Sequence, residues 1–282
     1  VSLREGPNVV RVSVRTKDGQ TSERTVEFTK VAASASVALP TTTSLPTIRA
    51  FVAGISSYTD RTLDLKYARK DAELMKEFLS GPCVGVKADH LRSVYDTEAT
   101  RENVIGALDE FLKRTSKEDL VLLYFAMHGV CDPDGGDDIY FLCHDSKMQN
   151  LEASALSRAS LEKLIRKCEA ERIIVIADTC HSGMLGTSGI GKRDAGTGSY
   201  GLLKRISEIE GKGVTFFSAS DANEYSQERE NLGHGVFTYY LVRGLKGEAD
   251  ENGDGFVVLQ EIEEYTYARV KEQTGGAQRP RM

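Results

Sequence analysis

The chain has 282 residues, 40% of them hydrophobic and 28% charged, with a formal net charge of −6. That size and balance suit a water-soluble globular protein of one large domain, or one domain plus a fragment, and the acidity argues against nucleic acid or an anionic membrane as the main partner. No run approaches 18 apolar residues, so no membrane span is expected, and the odd set of cysteines (Cys83, Cys131, Cys143, Cys168, Cys180) has neither metal-ligand nor disulfide-framework spacing, which favours reduced thiols and a cytoplasmic location.

In residues 1–30, "NVVRVSVRT" and "RTVEFTK" alternate apolar with polar around a turn at Asp18-Gly19. This is a β-hairpin pattern. A lone hairpin is marginal in water. It is either docked on the main body or the end of a sandwich module, and the stretch resembles the last two strands of immunoglobulin-like modules. Residues 31–46, rich in Ala, Ser and Thr with two Pro, read as a linker. Hairpin and linker together imply an upstream sensor or regulatory module.

From Thr47 the rhythm becomes strand, helix, strand. "TIRAFVAGI" is a strand. "YARKDAELMKEFLSG" places Ala68, Ala72, Met75 and Leu79 on one helical face, with Gly81 as the stop. "LRSVYD" is a short strand, "TRENVIGALDEFLKRT" a helix that Thr100 would cap, and "DLVLLYFAMHG" a buried strand. "RASLEKLIRKCEA" is a helix with Ser160 near its start; "IIVIADTCHSG" is a strand apolar on both faces. After a Gly/Ser-rich loop at 183–199 come a helix "LLKRISEIE", a strand "GVTFFSAS" and helices "VFTYYLVRGL" and "QEIEEYTYARV". This alternation predicts an α/β fold, a doubly wound, mostly parallel sheet with helices on both faces.

In such sheets, sites gather at the carboxyl ends of the strands. One strand ends in His128-Gly129 and another in Cys180. If the two are neighbours, a thiol and an imidazole share a crevice, with the imidazole taking and later returning the proton. Gly129 lets a backbone N–H approach the reacting carbonyl, and the N–H of Cys180 is the second oxyanion donor. Alone, a strand-ending cysteine is ordinarily a small buried residue, and a lone histidine is ordinarily structural. Their joint placement is what points to chemistry.

"HG" closing one strand, and "DTCHSG" closing another about fifty residues later, resemble the caspase-like cysteine peptidases, and the metacaspase and bacterial orthocaspase-type branch more than animal caspases. The likeness covers 47–282 and includes "YARKDA", "SASDANEYSQE" and "GGAQRP". It implies a peptidase acting on protein or peptide substrates, with Cys180 as nucleophile, His128 as base, Gly129 and Cys180 as oxyanion backbone, and His181 structural. Asp178 stands where animal caspases carry glutamine. By the same resemblance Asp71 and Asp178 line the primary specificity pocket, with Ser218 and Asp221 as further wall candidates. Two carboxylates suit Lys or Arg, so cleavage after those residues is expected. For Asp71 the alternative is a helix-start carboxylate favoured by the dipole. Lys192 and Arg193, in the 183–199 loop, are self-cleavage candidates on an enzyme of that specificity, against a passive surface loop.

"DENGDGFVVLQE" matches an EF-hand loop at Asp250, Asn252, Asp254, Gly255 and Glu261, with Phe256 offering its carbonyl. The alternative is an Asx-type turn. Asp132, Asp134, Asp137 and Asp138 surround Pro133 and two Gly, which reads as a hairpin turn. Some metacaspases hold calcium with acidic residues in this region, but seven residues after the nucleophile, where they offer an aspartate, this chain has Thr187. Thiol chemistry requires no cofactor; calcium is the candidate ion. Two non-catalytic readings stand beside the peptidase: a silent caspase-like scaffold, and a calcium-responsive interaction module.

Overall fold

The computed structural model describes residues 6–15, 21–30, 46–132, 138–181, 205–220, 224 and 226–282. The chain divides into two units, Val1–Leu45 and Pro46–Met282. In the first, β1 (Gly6–Arg15) and β2 (Thr21–Lys30) form an antiparallel ladder with Val10 opposite Val26.

The second unit is built on strands too apolar to leave either face in water. β3 (Ile48–Gly54), β4 (Leu91–Tyr95), β5 (Leu120–Cys131), β8 (Arg172–His181) and β9 (Gly213–Ser218) lie parallel in the order β4-β3-β5-β8-β9. Period-two alternation splits β5 between two cores. Val121, Leu123, Phe125 and Met127 face one, with α2 (Arg101–Leu112) and α4 (Arg158–Lys167); Leu122, Tyr124 and Ala126 face the other, with α1 (Ala68–Ser80), α5 (Val236–Arg243) and α6 (Leu259–Gln273). The fold is therefore the expected α/β class, mostly parallel with helices on both faces. No helix among the described residues is long and apolar enough to cross a membrane.

Above the end of β3, the far end of β5 gains an antiparallel partner, β6 (Ile139–Phe141), which pairs in turn with β7 (Leu156–Ser157) beyond a single helical turn, α3 (Leu151–Ser154). β10 (Glu228–Arg229) and β11 (His234–Gly235) form a second small antiparallel pair. None of these elements is long enough to show a period in the sequence. Thr100 caps α2, its side chain accepting from the Asn103 N–H. Ser160 lies in the first turn of α4, as expected, and the cap is Ser157, whose Oγ accepts from the Ser160 N–H at 3.1 Å. Of the helix expected over "LLKRISEIE", the described part is only a 3-10 turn, Arg205–Glu208; Gly211 follows at φ 75°, a left-handed conformation that ends it.

Candidate active site

β5 and β8 run side by side from Leu120 and Arg172 to their carboxyl ends, and in that register His128 stands opposite Cys180, and Gly129 opposite His181. Adjacent strands lie about 4.8 Å apart. The backbones of His128 and Cys180 are thus one strand spacing apart at the edge where sites form.

The surroundings of His128 fix its tautomer. Nε2 lies 2.8 Å from the Leu63 carbonyl, which can only accept, so Nε2 carries a proton. In the neutral ring Nδ1 is then the basic nitrogen. It is buried and has no hydrogen-bond partner among the described residues. Burial pushes the imidazole below its ordinary range, which the bond to Leu63 only partly offsets; the neutral, proton-accepting form is favoured. The Tyr58 ring packs 5.4 Å away and its hydroxyl accepts from the His128 N–H at 3.1 Å. Tyr58 and Leu63 lie on the loop after β3, which is pinned by carboxylates. The Asp96 side chain accepts from the Ser56 and Ser57 N–H groups (2.8 and 3.0 Å), and Asp64 from that of Tyr58 (2.8 Å). Asp96 itself has φ 43°, unusual for a residue other than Gly. Gly129 is crowded: a Cβ there would sit 3.2 Å from the Thr179 side chain.

Beside this edge lies a narrow cavity lined by Asp71, Asp178, Glu228, Ser226, Ala126 and Gly235, among others. Asp178 comes from β8, two residues before Cys180. Asp71 comes from the first turn of α1, which packs so closely on β3 that a Cβ at Gly54 would fall 2.4 Å from that of Ala72. Asp71 is more than a helix-start carboxylate. Only 3% exposed, it accepts through Oδ1 from His234 Nδ1 (2.8 Å) and through Oδ2 from the Gly235 N–H (3.0 Å). Asp178 Oδ1 accepts from the Ser226 hydroxyl (2.8 Å) and Oδ2 from the Thr238 hydroxyl (2.5 Å), which also bonds the Tyr124 hydroxyl. Glu228 accepts from the N–H groups of Lys66 and Tyr67 just before α1.

Three carboxyl groups around one cavity repel one another. Burial first, and the charge of Asp71 second, push Asp178 up to about 7. Burial also raises Asp71 and Glu228.

Other candidates lie elsewhere. Ser218 is fully buried, its hydroxyl donating to the Ser220 carbonyl at 2.9 Å, and does not line the cavity; Ser226, not singled out in the sequence, does. Asp221, Lys192, Arg193, Asp134 and Asp137 lie outside the described residues. Cys143 and Cys168 are buried: burial pushes the Cys143 thiol up to about 12, and the Cys168 Sγ lies 3.1 Å from the Thr115 hydroxyl near the amino ends of the strands. His234 and Thr238 are what the sequence reading missed, and within the expected wall stretch "SASDANEYSQE" it singled out Ser218 and Asp221 rather than Ser226 and Glu228; a polar His-Gly directly before a helix, "LGHGVFT", was the available signal for His234.

The 250–261 loop is folded onto itself. Asp250 accepts from the N–H groups of Gly253, Asp254 and Gly255; Asn252 Oδ1 accepts from the Asp254 N–H and Asp254 Oδ1 from that of Phe256; Glu261 accepts from the Asn252 amide and the Val258 N–H. Among the described residues no group of three or more His, Cys, Asp or Glu is placed to hold a metal ion.

A mostly parallel sheet with helices on both faces, ending in this edge, is the α/β architecture of caspase-like proteins. The chain belongs to the caspase-domain family, whose match spans residues 47–282; it is a family of cysteine peptidases. Among solved structures, the chain is similar to protein GSU0716 from Geobacter sulfurreducens, with TM-score 0.57 and 19% identity over 84% of this chain and 92% of that one. It is also similar to caspase-1 from Spodoptera frugiperda, with TM-score 0.51 and 10% identity over 84% of this chain and 86% of that one. Both likenesses are of fold. No curated protein sequence matches the chain.

Proposed function

We propose that the protein is a cysteine endopeptidase that cleaves after Arg or Lys, closer in kind to metacaspases and orthocaspases than to animal caspases. One observation carries the catalytic half: His128 and Cys180 are strand neighbours, and the histidine has Nε2 committed to Leu63 while Nδ1 stays basic and unpartnered among the described residues. In this reading Nδ1 accepts the Cys180 thiol proton as sulfur bonds to the scissile carbonyl carbon. The resulting oxyanion is received by the backbone N–H groups of Gly129 and Cys180. The imidazolium then returns its proton to the departing amine, leaving a thioester that water hydrolyses. In this reading the steps are carried by His128, Cys180, the two backbone N–H groups and water.

The carboxylates support the specificity half. The Asp71 and Asp178 Oδ2 atoms lie 2.8 and 3.4 Å from one point, the position a Cβ would take on Gly235. Both oxygens therefore face one small space beside Gly235, and a cationic group entering that space can meet both; a guanidinium or ammonium is the natural charge for them. The cavity is about 20 Å³ as it stands, room for about one water, so the wall carrying Ser226 and Glu228 moves outward on binding. The loop at 183–199, with Lys192 and Arg193, is proposed as a self-processing site, and the hairpin unit as the end of an upstream regulatory module.

Profiling on a peptide library, with thiol-alkylated protein as control, tests the reading. Hydrolysis after Arg and Lys that alkylation abolishes is expected. Preferential hydrolysis after Asp would overturn it.

A further inference from the structure

We propose that the loop before α6, together with the groove along that helix, is a docking surface for a basic, amphipathic segment of another polypeptide. This surface is separate from the proposed dyad and from the acidic pocket, so it does not depend on the protein being a peptidase.

Folding leaves three large apolar side chains in water here. Phe256, Val258 and Leu259 are 68%, 51% and 49% exposed, and among the described residues they are the exposed large hydrophobic side chains. Their neighbour Val257 packs on the core, so the alternation of an extended chain turns Phe256 and Val258 outward together. The loop that displays them is held firmly. Asp250 accepts from the N–H groups of Gly253, Asp254 and Gly255, and Glu261 reaches back from the first turn of α6 to accept from the Val258 N–H at 3.0 Å. Apolar side chains fixed in water forgo a burial that a partner would supply.

The neighbouring charge decides which partner. A groove of about 400 Å³ runs along α6, where Glu261, Glu264, Tyr265 and Ala268 share one helical face, and Glu248 and Glu251 line it from the preceding segment. Glu261 both lines the groove and holds the Val258 N–H, so the groove adjoins the apolar cluster. Glu248 is met by Arg243 at 2.6 Å, and Arg269 by Glu272 at 3.6 Å, but Glu251, Glu261 and Glu264 have no cationic partner among the described residues. Residues 244–264 hold seven carboxylate side chains and one lysine, a net of −6 that equals the formal charge of the whole chain. Such a field repels a second copy of the same face and an anionic membrane, and it attracts Lys and Arg. The occupant that suits both features has apolar side chains to cover Phe256, Val258 and Leu259 and basic ones to enter the groove, as an amphipathic helix does when laid in one.

The test measures, by fluorescence anisotropy, binding of a labelled amphipathic helix made of Leu and Lys to Cys180→Ala protein, which does not cleave the probe. That parent is expected to bind the probe, and to bind neither the same peptide with Glu for Lys nor the one with Ser for Leu. Phe256→Ser, Val258→Ser and Leu259→Ser together are expected to weaken binding about tenfold or more; Phe256→Ser alone serves if the triple variant does not fold. Glu251→Lys with Glu264→Lys is expected to weaken it about fivefold or more. Glu102→Lys with Glu152→Lys makes the same change of charge at exposed glutamates of α2 and α3 and is the matched control. No binding, apolar variants within roughly twofold of the parent, or a control that weakens binding as much as the groove pair overturns the proposal. Lysines lodged only between Asp71 and Asp178 would give the second of these results. A dimer of the parent that the triple variant loses on gel filtration, or equal binding of anionic vesicles, also overturns it, the occupant then being a second copy or lipid. None of these readouts depends on hydrolysis.

Discussion

The acidic pocket makes a quantitative prediction about proton release. Asp178, ordinarily near 3.8, is held up to about 7 by burial and by the charge of Asp71. A cation binds the ionised carboxylate, so below that point each bound cation must displace a proton. The affinity of a guanidinium ligand is then expected to fall as pH drops below 7, approaching tenfold per unit, roughly 50-fold between pH 7 and pH 5, the limiting slope being about 1.4 kcal/mol per unit. His128 does not produce the same dependence, because burial moves its titration downward and it is not in the pocket. The clean assay is calorimetry with a small alkylguanidine on Cys180→Ala protein, which binds but performs no chemistry; an uncharged isostere should show no pH dependence. Asp178→Asn should weaken the guanidine by about 2–5 kcal/mol, the cost of removing one partner from a desolvated charge pair, and should flatten its pH profile. A wild-type affinity that varies less than threefold from pH 5 to pH 7 would refute the reasoning.

The same raised titration sets the sign of a stability effect. The folded protein favours neutral Asp178, so this stabilisation is complete below the ordinary carboxylate range and is lost as pH rises to about 7; thermal melts should show a decline from about pH 4 to pH 7 that is shallower in Asp178→Asn. Cys180→Ala should abolish hydrolysis, whereas Cys143→Ala, which removes a buried thiol held up to about 12, should leave kcat/KM within about twofold in a peptide assay. Gly235→Ala places a methyl 2.8 Å from Asp71 Oδ2 and must displace that carboxylate; kcat/KM on Arg peptides should drop at least tenfold, since misplacing a binding group by about 1 Å can cost a hundredfold. Replacing both Lys192 and Arg193 with Ala should eliminate self-processing fragments on a denaturing gel, and unchanged fragments would exclude that site.

The parts of the fold that were legible in the sequence are those whose burial is two-sided. β5 and β8 carry unbroken apolar runs because helices cover both faces, and such runs announce a parallel sheet with its polar residues at the strand ends. From there His128 and Cys180 needed only to be neighbours. The pocket was half legible. Asp178 is tied to Cys180 by two residues of chain, so its neighbourhood came with the proposed nucleophile. Asp71 looked equally like a dipole-stabilised helix start, because what makes it something else is a histidine 163 residues away. The choice between Ser218 and Ser226 was not readable either: both lie in or beside one polar stretch, and which faces the cavity depends on how the chain turns between them. Two-residue strands such as β10 and β11 have no period to detect, yet they hold the pocket.

This division has a mechanistic consequence. The proposed dyad is fixed by the register of two strands in the middle of the sheet, where a one-residue slip would move a whole run of buried side chains to the wrong face. The acidic pocket is fixed differently. The groups that hold Asp71 and Asp178 all come from one stretch of chain: Ser226 before β10, His234 and Gly235 in β11, and Thr238 in the first turn of α5. On the proposed reading, changes along that stretch would alter which side chain is received without disturbing the strands that carry His128 and Cys180. Substitutions there should therefore act chiefly on KM and on the choice between basic residues. Substitutions at the β5–β8 edge should act on kcat. A variant of His234 or Ser226 that reduced kcat as far as a loss of His128 does, with KM unchanged, would contradict this separation of the two sites.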